Sequence, residues 1–206
     1  MDETREPDKR IHGADYWQDR YVNQRTGWDR GGPSPSLLER LEQGDLKPCR
    51  IVVPGSGHGH EVLALARAGF EVTAIDFAAT PVQRLRKKLE EAGLSATVVQ
   101  GDVVAYQPDL PFDAIYEQTC LCALAPPLWE AYENQLFQWL VPAGKLYANF
   151  MQVETEGGPP YHCDIESMQN LFSPQRWRWD QQRCSVPHPS GITEISVVLQ
   201  KDPDAD

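Results

Sequence analysis

Three glycines at alternate positions, Gly55, Gly57 and Gly59, follow the apolar run Ile51-Val52-Val53 and precede a stretch of helical period. Glycine carries no Cβ, so such a turn bends tightly and lets a ligand lie against the backbone, while the helix behind it offers unpaired N–H groups at its start. Two carboxylates stand further along: Asp76 in Ile75-Asp76-Phe77, 21 residues after Gly55, and Asp102 in Gln100-Gly101-Asp102. A carboxylate can accept from both hydroxyls of a ribose, and a second suits an exocyclic amine. The chemistry on offer is nucleoside recognition. Taken singly, each feature also has a plain structural reading, as a tight turn or a helix cap.

For these residues to meet, regular elements must deliver them to one edge. The pattern predicts strands over 50–53, 71–75, 96–100, 113–118 and 144–150, with helices over 59–67, 80–92 and 128–140 between them. This alternation implies a parallel sheet with right-handed crossovers and helices on both faces. In such a sheet ligands bind beyond the carboxyl ends of the strands, where strand order reverses. The glycine turn, Asp76, Asp102 and the run Gln118-Thr-Cys-Leu-Cys122 all fall at strand ends. Asp164 is expected to cap a helix reaching Phe172, and strands over 175–184 and 192–200 flank the turn Pro187-His-Pro-Ser-Gly191. With no helix between them, they are expected to pair as a hairpin. The expected fold class is α/β and Rossmann-like, with seven strands, mostly parallel, and a C-terminal antiparallel hairpin.

Ahead of the sheet, residues 14–44 carry Tyr16, Trp17, Tyr21 and Trp28, then Gly31-Gly-Pro-Ser-Pro35 and a short amphipathic helix over 36–42 ending at Gly44. The rings either pack on the core as a helix or cover a bound ligand as a lid. Residues 1–11 and 202–206 are charged and without period, and are expected to be frayed or disordered. The whole chain, 1–206, reads as one domain.

The formal net charge of −11 argues against binding a nucleic-acid backbone. No apolar run reaches the ~20 residues of a membrane span and no leader pattern opens the chain, so a cytoplasmic location is expected. Five scattered cysteines are expected as free thiols. Cys120-x-Cys122 is one face of an extended segment without a partner pair at ligand spacing, so no metal site is expected. The glycine spacing also divides nucleoside binders. Nicotinamide turns read G-x-G-x-x-G, and His60 occupies the place of that third glycine, which favours S-adenosylmethionine.

With these residues in view, the chain resembles class I S-adenosylmethionine-dependent methyltransferases. More narrowly, Trp17-Gln-Asp-Arg-Tyr21, Gly27-Trp-Asp-Arg-Gly31 with Pro33 and Pro35, Val53-Pro-Gly-Ser-Gly57, Cys122-Ala-Leu124 and Gly157-Gly-Pro-Pro-Tyr161 resemble the thiopurine methyltransferase superfamily. Within it, the likeness is greatest to the halide/thiol methyltransferases. The resemblance implies that Trp17, Tyr21 and Trp28 enclose the cofactor, with Gly55 and Gly57 beneath it. It places Asp76 with Phe77 at the ribose, Asp102 with Val103 at the adenine, and Gln118 at the transfer site. Tyr21 replaces a tryptophan common in the halide/thiol group, and Gln118 stands where relatives have tyrosine or arginine.

Methyl transfer from a sulfonium is a displacement whose donor is already activated, so the protein's task is to align the reactants and exclude water. A thiol near the reference pKa of ~8.5 is partly ionised near neutrality and needs no dedicated strong base. Tyr161 is the first choice to touch the acceptor, with Gln118, Arg25 and His162 as further candidates; Leu121, Cys122, Leu124 and Tyr116 suggest an apolar pocket. The expected acceptor is a small thiol, sulfide or halide, with S-adenosylhomocysteine as co-product. Thiopurines and oxidised selenium or tellurium species are the alternatives. A nicotinamide-dependent oxidoreductase and a non-catalytic cofactor-binding module remain rival readings, and the sequence leaves the oligomeric state open.

Overall fold

The computed structural model describes residues 13–205. Helices α1 (Ala14–Val22) and α2 (Pro35–Gln43) precede β1 (Arg50–Pro54), α3 (His60–Arg67), β2 (Glu71–Asp76), α4 (Ala79–Glu91) and β3 (Thr97–Gln100). There follow β4 (Phe112–Gln118), α5 (Trp129–Trp139), β5 (Leu140–Gln152), α6 (Ile165–Leu171), β6 (Trp177–Trp179), β7 (Cys184–Pro187) and β8 (Thr193–Lys201). One sheet runs β3-β2-β1-β4-β5-β8-β6, with β7 also beside β8. The first five strands are parallel, and β8 is antiparallel to β5, β6 and β7.

The strand sequences explain the layers. Ile51, Val52 and Val53 are β-branched and all buried. Alternate residues of a strand face opposite sides. Accordingly Val52 joins Ile115, Leu146 and Trp139 in the core on one face, while Ile51 and Val53 join Val72, Leu65 and Leu85 on the other. Both faces are covered, as a parallel sheet requires. The chain winds outward from β1 to β3 and then returns to the other flank of β1 as β4. That reversal opens a crevice between the carboxyl ends of β1 and β4, where the site lies.

Three expectations need correction. Strand β5 does not wait for Gly144: Leu140 pairs with Phe112 directly from the end of α5, and the register then shifts until Lys145 opposes Ala114. Pro142, which has no N–H to give to a ladder, sits inside that shift. The strand expected over 175–184 is two strands, because the Asp180 carboxylate accepts from Gln182 N (3.0 Å) and turns the chain between them. The pieces β6 and β7 pair with opposite ends of β8. The edge is therefore an eighth strand rather than a continuous seventh, although the expected hairpin about Pro187–Gly191 is present. Residues 202–205 are held rather than frayed: Asp202 N donates to Arg176 O at 2.8 Å and Arg178 Nε to Asp202 Oδ2 at 2.9 Å. Residues 1–11 and 206 lie outside the described residues. Among those described, no helix is long and apolar enough to cross a membrane.

Candidate active site

The glycine turn leaves β1 with Gly55, Gly57 and Gly59 all in the left-handed region. Gly57 donates its N–H to Asp76 Oδ2 at 2.8 Å, tying the first strand tip to the second. Gly59 serves helix packing: a Cβ there would stand 2.3 Å from Leu85 Cδ1 of α4. The close approach that dinucleotide turns reserve for their third glycine is thus made one residue earlier, which is why His60 is tolerated. Gly59→Ala is expected to cost about 2–4 kcal/mol, from left-handed strain plus overpacking. A urea melt checks this, and a loss under about 1 kcal/mol would contradict the packing role.

Asp76 is buried at the tip of β2, its Oδ1 accepting from Ala78 N at 2.9 Å while Oδ2 takes the Gly57 N–H. Burial pushes its carboxyl up to about 6 against the pull of the N–H groups of Ala78, Gly57 and Phe77. A carboxylate has about four lone-pair positions, so two remain for a ligand. Asp102 follows β3, its Oδ1 fixed by Val104 N at 3.0 Å, with Val103 buried beside it. After β4, the buried Glu117 carboxylate accepts from Cys120 N (3.1 Å) and Leu121 N (2.7 Å), shaping the turn that carries Cys120 and Cys122.

The aromatic segment packs ring on ring and lines a cavity. Tyr21 is buried, and edge-to-face contacts join Trp17 to Trp28 (centroids 5.5 Å apart) and Tyr21 to Trp28 (5.6 Å). Gln18 fixes α1 to α4: its Oε1 accepts from Thr80 N at 3.0 Å and its Nε2 donates to Thr80 Oγ1 at 2.6 Å. Thr80 N is one of the orphan donors at the start of α4, and no side chain of α4 itself caps it. Gln18→Ala is expected to lower stability by about 1 kcal/mol and to weaken cofactor binding modestly by loosening the aromatic segment. Paired melts with and without S-adenosylhomocysteine would separate the two effects; an unchanged melt would contradict the capping role.

Trp28 is held from both sides. His188, in the β7–β8 turn, hydrogen-bonds Trp28 O through Nε2 at 3.1 Å. Two residues on, Arg30 donates to Glu194 Oε2 at 2.7 Å and to Pro187 O at 2.9 Å, with the Arg30 and Glu194 side chains 7% and 0% exposed. Asp29 bonds His60 Nε2 at 2.9 Å. Outweighing the cost of partial burial, the Gly31 N–H and the His60 and His58 rings hold Asp29 below the usual carboxylate range.

Together these elements enclose a cavity of about 400 Å³. Trp17, Tyr21, Trp28, Gly55, Asp76, Phe77, Asp102 and Val103 line it, as do Cys122, Leu124, Met151, Pro159 and Pro160. Of the residues singled out in the sequence, Gly57, Tyr116 and Gln118 instead line a neighbouring cavity of about 50 Å³ across the glycine turn, and Leu121 is buried and lines neither. Gln118 Nε2 there reaches Glu194 Oε2 at 3.4 Å. Tyr161 stands just outside the large cavity, its N–H bonded to Cys122 O at 2.7 Å, so the two prolines before it form the wall. Arg25 is exposed and paired with Asp19, away from the cavity. His162 accepts from Val153 N at 3.1 Å outside it. Arg20, Arg30 and His188 were given no role by sequence reasoning. Arg20 and Arg30 lie inside the Trp17–Tyr21 and Gly27–Gly31 motifs.

Comparison with known proteins is consistent with this geometry. The family model for thiopurine S-methyltransferase matches residues 12–197. A probable thiol methyltransferase 2 of Arabidopsis thaliana is 29% identical over 161 residues, covering 77% of this chain and 71% of the relative. A thiopurine S-methyltransferase of Pseudomonas aeruginosa (strain UCBPP-PA14) is 27% identical over 188 residues, covering 82% and 85%. Among solved structures, magnesium protoporphyrin IX methyltransferase from Synechocystis PCC 6803 superposes with a TM-score of 0.75 at 14% identity, over 95% of this chain and 100% of the other. The fold is that of the class I methyltransferases. The chain belongs to the thiopurine S-methyltransferase family of methyltransferases.

Proposed function

We propose that the chain transfers a methyl group from S-adenosylmethionine to a small thiol or sulfide, releasing S-adenosylhomocysteine, as a reaction of the cytoplasm. The observation that carries this reading is the lining of the large cavity. Asp76, Phe77, Asp102 and Val103, from the tips of β2 and β3, suit a nucleoside, and Cys122, Leu124, Met151, Pro159 and Pro160, from the β4 and β5 side, give an apolar wall; Trp17, Tyr21 and Trp28 line the same cavity. The residues present fit the donor. Asp76 keeps lone pairs that could accept from a ribose, Asp102 lines the cavity with an acceptor suited to an adenine amine, and Trp17 and Trp28 suit a sulfonium, which is attracted to ring faces. When bound, S-adenosylmethionine supplies a methyl group on a cationic sulfur. The protein's own work is to bind it, cover it and hold the acceptor out of water.

The apolar wall favours a small, soft acceptor over a heterocycle needing several hydrogen bonds. The thiol methyltransferase relative supports a thiol acceptor, and the bacterial thiopurine relative keeps the thiopurine reading in play. Competition among methanethiol, iodide and 6-mercaptopurine at equal concentration would decide. Methanethiol is expected to show the highest kcat/KM. A higher value for the thiopurine would overturn the preferred acceptor.

A further inference from the structure

Arg20 lines the large cavity from α1. Its guanidinium lies over the Tyr16 ring, 4.5 Å from the centroid, and donates one Nη2–H to the Tyr16 hydroxyl. Its Nε is buried and has no hydrogen-bond partner. Among the described residues no carboxylate pairs with it; Asp19, next to it in the chain, pairs with Arg25 instead. A buried N–H with no acceptor is costly, and a guanidinium beside an apolar wall acts through a low dielectric. Stacking on Tyr16 fixes the planar fork, leaving its donors preset for an anion.

Burial and the charge of the Tyr16 phenol push Tyr161 above the usual tyrosine range. Pro159 and Pro160 of the Gly-Pro-Pro-Tyr loop share the cavity with Arg20. S-adenosylmethionine brings a sulfonium, an α-ammonium and one α-carboxylate, a net positive charge, so a further cation beside it is best balanced by an acceptor that arrives as an anion.

We propose that Arg20 is the acceptor-recognition residue of this site: it binds the acceptor as a small anion, a thiolate or an inorganic anion of similar size, through the Nη1–H groups that Tyr16 leaves unengaged. The anion is the form that reacts, its lone pair forming the new bond to the methyl carbon as that carbon's bond to the sulfonium breaks and the released pair stays on the donor sulfur. The thiol proton has gone to solvent beforehand, so no protein base is required. This assignment rests on the methyl-transfer reading above.

The test compares wild type with Arg20→Gln and Arg20→Lys. With a thiol acceptor, wild-type kcat/KM should hold to a lower pH than the free thiol's own ionisation. Arg20→Gln should lose roughly tenfold or more near neutrality, a charge-assisted contact being worth that much, and should recover as the thiol ionises unaided in alkaline solution. Iodide and thiocyanate should inhibit Arg20→Gln about tenfold more weakly, Arg20→Lys should retain most of both properties, and S-adenosylhomocysteine affinity should stay within about twofold. A loss equal at every pH, or unchanged anion inhibition, would overturn the assignment. If wild type methylates no thiol, iodide or thiocyanate, the methyl-transfer reading falls. Anion binding to the S-adenosylhomocysteine complex, read by tryptophan fluorescence, then decides Arg20 on its own: equal binding in wild type and Arg20→Gln overturns it.

Discussion

Asp76→Ala is expected to cost about a hundredfold or more in affinity for S-adenosylhomocysteine, because two hydrogen bonds from a ribose to a carboxylate are lost, each worth about 1.5–3 kcal/mol. The substitution also strands the Gly57 and Ala78 N–H groups that the carboxylate now holds. Asn is no true substitute, since its amide presents N–H to one of those donors. The pH dependence follows from burial, which raises the Asp76 carboxyl from 3.8 to about 6. In the ligand-free protein the folded state holds this proton more tightly than the unfolded chain. The resulting stability is present below about pH 4 and lost as pH rises through about 6. Ligand binding has the opposite sign, as it uses the ionised form, and affinity should fall by up to about tenfold per unit below pH 6. Calorimetric titration across pH checks both; affinity within threefold of wild type for Asp76→Ala would remove the ribose role.

The second large effect belongs to the Arg30–Glu194 pair. Glu194 is fully enclosed; burial pushes its carboxyl up, and the Arg30 guanidinium pulls it back only in part. Removing one partner leaves an uncompensated buried charge, a loss of about 3–5 kcal/mol and a melting temperature lower by roughly 10 °C. Either single change to alanine should do this, and kcat/KM should also fall, because Arg30 fixes Trp28 against the β7–β8 turn. The double variant Arg30→Met/Glu194→Leu should recover most of the stability, since an apolar pair of similar volume carries no desolvation cost. It should not recover all the activity, because the bond to Pro187 O is gone. If the double variant melts at the additive sum of the singles, the two side chains are not coupled.

The pair also illustrates what the sequence carries and what it does not. The glycine turn, Asp76 and Asp102 were legible because each stands at the end of a strand whose β-branched run announces it. Their shared location then follows from the parallel topology alone. The aromatic segment was legible as either helix packing or a lid; Tyr21 is buried, and Trp17, Tyr21 and Trp28 all line the cavity. Arg30–Glu194 and Gln18–Thr80 pair across 164 and 62 residues, and no local pattern marks such partners. Arg20 and His188 owe their cavity positions to a docked helix and a hairpin turn, both tertiary facts. The broken edge strand and the shifted start of β5 had local signals, in Asp180 and Pro142. Hydrophobic periodicity outweighed both in the reading.

Transfer of the donor's methyl group to a small thiol is the proposed reaction of this cavity. The direct measurement is single-turnover reaction of the protein with S-adenosylmethionine carrying a trideuterated methyl group and with methanethiol, the headspace being analysed by mass spectrometry. The account predicts trideuterated dimethyl sulfide in stoichiometric yield from wild type and a rate at least about a hundredfold lower from Asp76→Ala at subsaturating donor. Tight S-adenosylhomocysteine binding with no labelled product from methanethiol, sulfide or iodide would contradict it.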